Sequence, residues 1–554
     1  MRPARYNALS CHELVHCGGR ALAELEGPEQ RRRRRGFRMT TKYQVSGVRF
    51  LYRRQRHALV RHDGRMIDDP QRAQSTPLFT GILVALVFGV GTAAWGMFSP
   101  AGHVNEARIV INRDTGAMYV RIGPRLDPVT NLTSARLILG TPDNPVKVSP
   151  AEIARYPHGS LVGILGAPAD IRDTADSSSI WTVCDTTMTG AAVPLDPVSG
   201  LPSTAMSPVI TTVIGGPLTS GVDTASLTGN QARLVGYDNR TWLVFSRPDG
   251  VVVRSTVEIT NPIVADALGL KASDLILPIS QGLFNAIPAE PPLVAPVVND
   301  VGTRPAFAVN RALTVGTILK VSDLSGGTKY YTTLSDGVQE VSLTAATMIR
   351  AADTQVSAAP TEIGPDELSQ LPKSTQLAVG FYPIEPVQLV PADHQPVTCW
   401  SWSQRGSEPT AHAMVIVGRT LPLSDSQSQN SVPLVSAKSS KGMTADRAYM
   451  PPTSGRFVQI TGAATDSKQR ESYFWVADNG IRFGLDNTDM KSGGTVLAAL
   501  QLHRPVPAPW NVISLFAPGP TLSQQDARVR HDGVPADLVV NGMTDREVDG
   551  KEVK

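Results

Sequence analysis

Three groups of residues in this 554-residue sequence have types and spacings that could do chemistry. The first is His12-Glu13-Leu14-Val15-His16, an H-E-x-x-H string with Cys11 and Cys17 on either side. On a helix that spacing sets two imidazoles one turn apart as zinc ligands, with the glutamate as general base. Such a site also needs a third ligand and a fold that excludes water. Here the string starts at position 12, nothing sheet-like precedes it, and the run Arg31 to Arg35 follows. Zinc-protease chemistry is not expected. The second group is Gly326-Gly327-Thr328-Lys329. A phosphate-cradling loop reads G-x-x-x-x-G-K-[ST], whereas here threonine and lysine stand in the opposite order just before a strand pattern. It reads as a loop. The third is a carboxylate close to glycine, at Asp114, Asp249, Asp336 and Asp478. Turn chemistry alone accounts for that pattern. No G-x-S-x-G elbow occurs, and His103, His158, His394, His412, His503 and His531 show no paired spacing. No catalytic residue, metal ligand or cofactor-binding residue is assigned.

The elements around these residues are more informative. Residues 78–98 carry no charge over 21 positions, bracketed by Pro77 and Pro100 with Trp95 near one end. At about 1.5 Å per residue such a helix crosses a hydrocarbon core of roughly 30 Å. It is too long, and begins too far into the chain, for a cleaved signal peptide. Lys42, Arg49, Arg53, Arg54, Arg56, Arg61, Arg65 and Arg72 precede it, while only Arg108 and Arg113 follow closely, countered by Glu106 and Asp114. The positive-inside rule places the N-terminus in the cytoplasm. Gly89 with Ala93, and Thr92 with Gly96, form small-xxx-small pairs suited weakly to helix packing. Net charge is only +3, so no nucleic-acid partner is expected.

Beyond the membrane segment stand Cys184 and Cys399. In an oxidising compartment an isolated pair reads as one long-range disulfide; the other reading is two separate buried thiols. The region has 47 glycines and 43 prolines in the whole chain to draw on, which favours short strands and many turns. A weak repeat recurs in it: apolar strand, Asp/Gly turn, apolar strand, small-residue helix. Its copies are Ile109 to Leu139, Trp242 to Leu270, Tyr330 to Ile349 and Tyr473 to Leu500. The expected fold is α+β: a single N-terminal transmembrane helix, then an elongated ectodomain with a pseudo-symmetric β-rich core and four small hairpin-plus-helix repeats. The expected boundaries are a disordered extension or start-site artefact at 1–38, a basic cytoplasmic segment at 39–77 and the membrane helix at 78–98. They continue with repeat 1 at 99–154, core half 1 at 155–237, repeat 2 at 238–285, and a proline-rich link with repeat 3 at 286–373. Core half 2 spans 374–466, repeat 4 and a C-terminal segment 467–522, and a disordered tail 523–554.

Met39-Thr-Thr-Lys42, Gly47 to Arg54, His57 to Arg61 and Arg65-Met-Ile-Asp-Asp-Pro70 resemble the cytoplasmic start of the EccB family. The likeness continues through Ser134 to Gly140, Pro145-Val-Lys147, Gly166-Ala-Pro168, Trp181 to Asp185, Asp336 to Gln339 and Pro507-Ala-Pro-Trp510. It covers nearly everything from Met39 to about Ser523. EccB proteins are single-pass membrane core components of the type VII (ESX) secretion system of mycobacteria and related actinobacteria. The resemblance implies a two-half core with four peripheral repeats and a disulfide falling on Cys184 and Cys399. It implies a plasma-membrane location with most of the chain periplasmic. Its implied partners are EccC-, EccD- and EccE-type subunits, the mycosin protease and further copies of the chain. Family members are often called ATPases, so ATP enters through that name only. The expected function is a structural subunit of the secretion complex; the alternatives are an ATP-hydrolysing subunit or a peptidoglycan-binding module.

Overall fold

The computed structural model describes residues 41–62, 70–98, 104, 107–172, 177–187, 209–219, 223–307, 313–322, 326–352, 359–406, 408–438, 443–486 and 495–532. The H-E-x-x-H string and Met39 lie outside them. The chain divides into two compact units, 1–100 and 101–554.

In the first unit, helix Lys42–Arg61 begins at Thr41, whose N–H donates to the Gln44 carboxamide at 3.2 Å. His62 ends it in the left-handed conformation, φ 55°, with its N–H on the Ala58 carbonyl. Val45, Val48, Tyr52 and Leu59 recur at helical spacing beside a stripe of Arg49, Arg53 and Arg56. The second helix runs Pro70–Phe98. It therefore starts eight residues before Leu78, and Pro77 lies inside it rather than bracketing it. A proline there forfeits one i→i−4 hydrogen bond without stopping a long apolar helix. The described side chains, 77–92, are uncharged and all exposed. Among the described residues, no helix is long and apolar enough to cross a membrane.

The second unit is mixed helix and sheet. Four of its sheets share one strand order. The first is built from strands Ile109–Asn112, Met118–Ile122 and Arg125–Pro128, helix Leu132–Leu139 and return strand Val146–Val148. The leading strand sits inside the sheet, antiparallel to its successor and parallel to the return strand. A parallel return needs a crossover, which the helix supplies. The second group has strands Gln231–Tyr237, Arg240–Ser246 and Val252–Thr256, helix Pro262–Leu268 and return Leu277–Pro278. The third runs from Ile318–Ser322 to return Thr361–Ile363, and the fourth from Arg456–Thr461 to return Val506–Pro509. Capping residues set the crossover helices. Asn131 accepts from the Ser134 N–H at 2.7 Å and Asn261 from the Ile263 N–H at 3.0 Å. Gly140 and Gly269 close the same helices at φ 71° and 73°, where a Cβ would be strained.

The second, third and fourth groups begin one strand before the hairpins that mark them in the sequence. Gln231–Tyr237 belongs to the second sheet and Arg456–Thr461 to the fourth, not to the flanking halves at 155–237 and 374–466. The Asp/Gly turns are also not equivalent. Asp114 and Gly116 join strands one and two of the first group, whereas Asp249, Asp336 and Asp478 stand between strands two and three of theirs. Hairpin residues specify a turn but not its ordinal place in a sheet. Beyond 522, helix Gln524–Ala527 and strand Arg530–His531 follow, the strand pairing with Leu161–Val162. Order thus continues into the segment expected as a tail; residues 533–554 lie outside the described ones.

Seven further strands form one sheet. Its centre is Val209–Gly215, Ser179–Thr187, Val397–Gln404 and His412–Gly418, in that order. One core joins this sheet to the second and fourth groups through Trp181, Trp400, Trp402, Leu283 and Phe516. A second core joins the first and fourth groups, and a third joins the second and third.

Candidate functional site

Strand Ser179–Thr187 lies at the centre of the sheet and is buried along most of its length, with successive side chains on opposite faces, so each face has a separate task. On one face Cys184 stands directly opposite Cys399, with Cα atoms 3.9 Å apart, and the two form a disulfide. Both sulfurs are buried under Ile214, Ile416, Leu423 and Tyr449. The bridge links residues 215 apart in the chain. Of the sequence-predicted residues, this pair is brought together.

The opposite face presents Ser179, Trp181, Val183, Asp185 and Thr187. At one end the Ser179 hydroxyl donates to the Pro507 carbonyl at 2.5 Å, on the return strand of the fourth group. It also accepts from the Trp181 indole at 2.7 Å. At the other end the Thr187 hydroxyl donates to the Pro278 carbonyl at 3.3 Å, on the return strand of the second group. Asp185 strengthens this end. Its carboxylate accepts from the Ser280 N–H at 2.5 Å, the Ser280 hydroxyl at 2.8 Å and the Thr211 hydroxyl at 2.9 Å. Ser280 in turn caps helix Gln281–Ala286, accepting from the Leu283 N–H at 3.1 Å. Full burial pushes the Asp185 carboxyl up to about 6, against the pull of those donors, and the nearby Asp446 adds to the rise. One strand thus holds the return segments of two groups and crosslinks the sheet between them.

Each of those two groups carries an arginine over an aromatic ring. The Arg254 guanidinium lies 3.7 Å from the Phe284 ring centre and 5.0 Å from that of Trp242, with its Nε donating to the Phe284 carbonyl. Tyr237 stacks on the same phenyl at 4.0 Å. In the fourth group Arg482 lies 5.2 Å from Trp510, which packs on Phe474 at 5.5 Å. Burial lowers both guanidinium pKa values. The Asn511 carboxamide donates to the Ala286 carbonyl at 3.0 Å, tying the two groups directly.

The other sequence candidates stay apart. Asp249 pairs with Arg247, which holds its carboxyl below the usual range, and accepts from the Val251 N–H. Asp478 accepts from the Thr453 N–H at 2.9 Å, and Asp114 pairs with Arg113 at 3.5 Å. Lys329 of the Gly-Gly-Thr-Lys string pairs with Glu340 at 3.2 Å within a hairpin. His158 packs on Tyr119 and His531 lies 2.8 Å from the Gly163 carbonyl. Among the described residues, no group of three or more His, Cys, Asp or Glu side chains could hold a metal ion. Residue-by-residue reading missed Asp185, Ser179 and Ser280. The available signal was a carboxylate within a strand, beside Cys184, since a buried charge demands donors.

What this arrangement does is hold: a crosslinked sheet gathers β-rich groups by matched hydrogen bonds, the geometry of a scaffold. The family model for "Type VII secretion system ESX-1, transport TM domain B" matches residues 37–536. The chain belongs to that EccB family. It is similar to the ESX-3 secretion system ATPase EccB3 of Mycolicibacterium smegmatis, 40% identical over 92% of this chain and 94% of that one. The ESX-5 secretion system ATPase EccB5 of Mycobacterium tuberculosis is 35% identical over 91% and 96%. Among solved structures, a chain of the intact ESX-5 inner membrane complex has TM-score 0.68 at 34% identity, over 92% of this chain and 99% of its own. A chain of the EccB3 dimer from the ESX-3 core complex has TM-score 0.65 at 37% identity, over 76% and 100%.

Proposed function

We propose that the chain is a structural, single-pass subunit of a type VII secretion complex. Its basic segment stays in the cytoplasm, its second helix crosses the membrane, and residues beyond 100 assemble on the far side with further copies and other core membrane components. The observation that carries this reading is the helix Pro70–Phe98, whose described side chains at 77–92 are uncharged and without cover. Apolar surface of that extent is costly in water, at about 25 cal/mol per Å². The relatives supply the context, being named for ESX inner membrane complexes, a periplasmic assembly and a dimer. The four groups are read as repeats of one unit, supported by their common strand order. Ser179 and Thr187, each reaching a return strand, support a pseudo-symmetric core. The succession of shared cores, first with fourth and second with third, supports an elongated ectodomain.

Deleting residues 39–76 from the full chain tests the reading. The expected result is lost co-purification with the other membrane components while the chain stays in the membrane fraction. Retained assembly would count against it. Because relatives are named ATPases, a nucleotide titration of the detergent-solubilised chain decides the second reading. Saturable ATP binding coupled to phosphate release would establish it.

A further inference from the structure

We propose that the first group carries a binding cleft for a phosphate-bearing anion. A cavity of about 500 Å³ opens between that group and the C-terminal segment, lined by Arg108, Arg121, Arg125, Arg528, Arg530 and Asp127. Five arginines and one aspartate therefore line it, brought together from segments about 400 residues apart. The carboxylate is already committed: Asp127 is buried and holds Arg125 through contacts of 2.8 and 3.0 Å.

The other arginines spend several of their N–H groups on partners without charge. Arg108 donates to the Thr141 hydroxyl and the Leu139 carbonyl and pairs with Asp143 at 3.6 Å. Arg121 donates to the Val104 and Gly123 carbonyls, and Arg528 to the Ile138 carbonyl. The Arg530 side chain has no hydrogen-bond or ion-pair partner among the described residues. Carbonyls at a helix C-terminus explain why a cation or two should gather there. They absorb donors without neutralising charge, and each guanidinium has five N–H groups to place. Asp127 and Asp143 can each match one guanidinium fork, too few for five. A phosphate offers more oxygens and more charge, and guanidinium forks match its geometry. Ile122 and Leu139, also lining the cleft, add an apolar edge beside the cations, a combination that suits a phosphodiester headgroup with an attached chain.

Phosphate can reach this cleft as a lipid headgroup or as a free oligophosphate. Only the lipid source rests on the membrane-anchored reading above, so failure of that reading leaves the oligophosphate arm intact. The experiment uses the full chain in an uncharged detergent and titrates three probes: short-chain phosphatidylglycerol, inorganic pyrophosphate and succinate. Binding is followed by thermophoresis for the native chain, Arg530→Glu, and Arg405→Glu as an exposed control outside the cleft. At least one phosphate probe is expected to saturate, with affinity falling about tenfold or more in Arg530→Glu and unchanged in Arg405→Glu. Melting curves of both variants should match the native one, because Arg530 is exposed and contributes only backbone pairing to the fold. Preference for phosphatidylglycerol assigns the lipid source, and preference for pyrophosphate the free one. Three results overturn the proposal: no saturation by either phosphate probe, equal binding of succinate, or equal weakening by the two substitutions.

Discussion

The second and fourth groups are held by the same strand, but through different chemistry at its two ends. At the Ser179 end every partner is neutral: a hydroxyl, an indole and the Pro507 carbonyl. At the Asp185 end a buried carboxylate takes three donors, two of them from Ser280. Neutral hydrogen bonds in a covered site depend little on solution conditions. A buried carboxylate is stronger and more costly, because each donor it loses is stranded and its own charge must be desolvated. The two ends thus fix equivalent segments with unequal strength and unequal sensitivity to pH. The disulfide lies between them and serves both.

The largest effect should come from removing that shared element. In the chain-entropy picture, closing a loop of this length stabilises by about 5 kcal/mol. Replacing both Cys184 and Cys399 by serine should therefore lower the melting temperature substantially. Hydrogen exchange should rise in the Leu277–Ala286 and Val506–Ile513 segments together. If only one segment loosens, the strand does not act as a common support.

Asp185→Ala separates the two ends. It strands the Ser280 N–H and two hydroxyls, at about 1 kcal/mol or more for each hydrogen bond removed, so about 3 kcal/mol in total. Exchange should accelerate in helix Gln281–Ala286 and stay near native in helix Trp510–Ile513. Equal acceleration in both would erase the distinction between the ends.

The pH response sharpens it further. The Asp185 carboxyl is raised from 3.8 to about 6 by burial. The folded state therefore binds this proton more tightly than the unfolded state does. The resulting stabilisation is complete below about pH 4 and is lost as pH rises through about 6. At 1.36 kcal/mol per pKa unit the whole effect is about 3 kcal/mol at most. Opening free energies of the second group, from hydrogen exchange corrected for intrinsic rates, should fall across that window. Those at the Ser179 end should not follow. Asp185→Asn should flatten the curve.

The difference between these ends also marks how far the sequence could be read. The cysteine pair, the hairpins around Asp249, Asp336 and Asp478, and the crossover helices are local or compositional signals, carried by turn residues, caps and apolar periodicity. The return strands are not. Leu277–Pro278 is two residues long and Val506–Pro509 holds two prolines, so neither has strand propensity of its own. They are strands because a partner is already in place. Ser179 is equally silent, since its partner Pro507 lies 328 residues away. Periodicity reports a face to be covered and cannot name what covers it.

Ser179→Ala should give the smallest effect and the cleanest one. The substitution removes a donor to the Pro507 carbonyl and the acceptor of the Trp181 indole. Two neutral hydrogen bonds imply a loss of about 1 to 2 kcal/mol, with no new cavity larger than one oxygen. The indole is the more exposed to harm, because Trp181 is almost fully buried and its N–H has no water to turn to. Faster exchange is expected at Val506–Pro509, together with a shift in tryptophan fluorescence, and neither should vary between pH 4 and 7. A pH-dependent response in this variant would mean that Asp185 acts through the length of the strand. The two ends would then be one coupled device rather than two independent clasps.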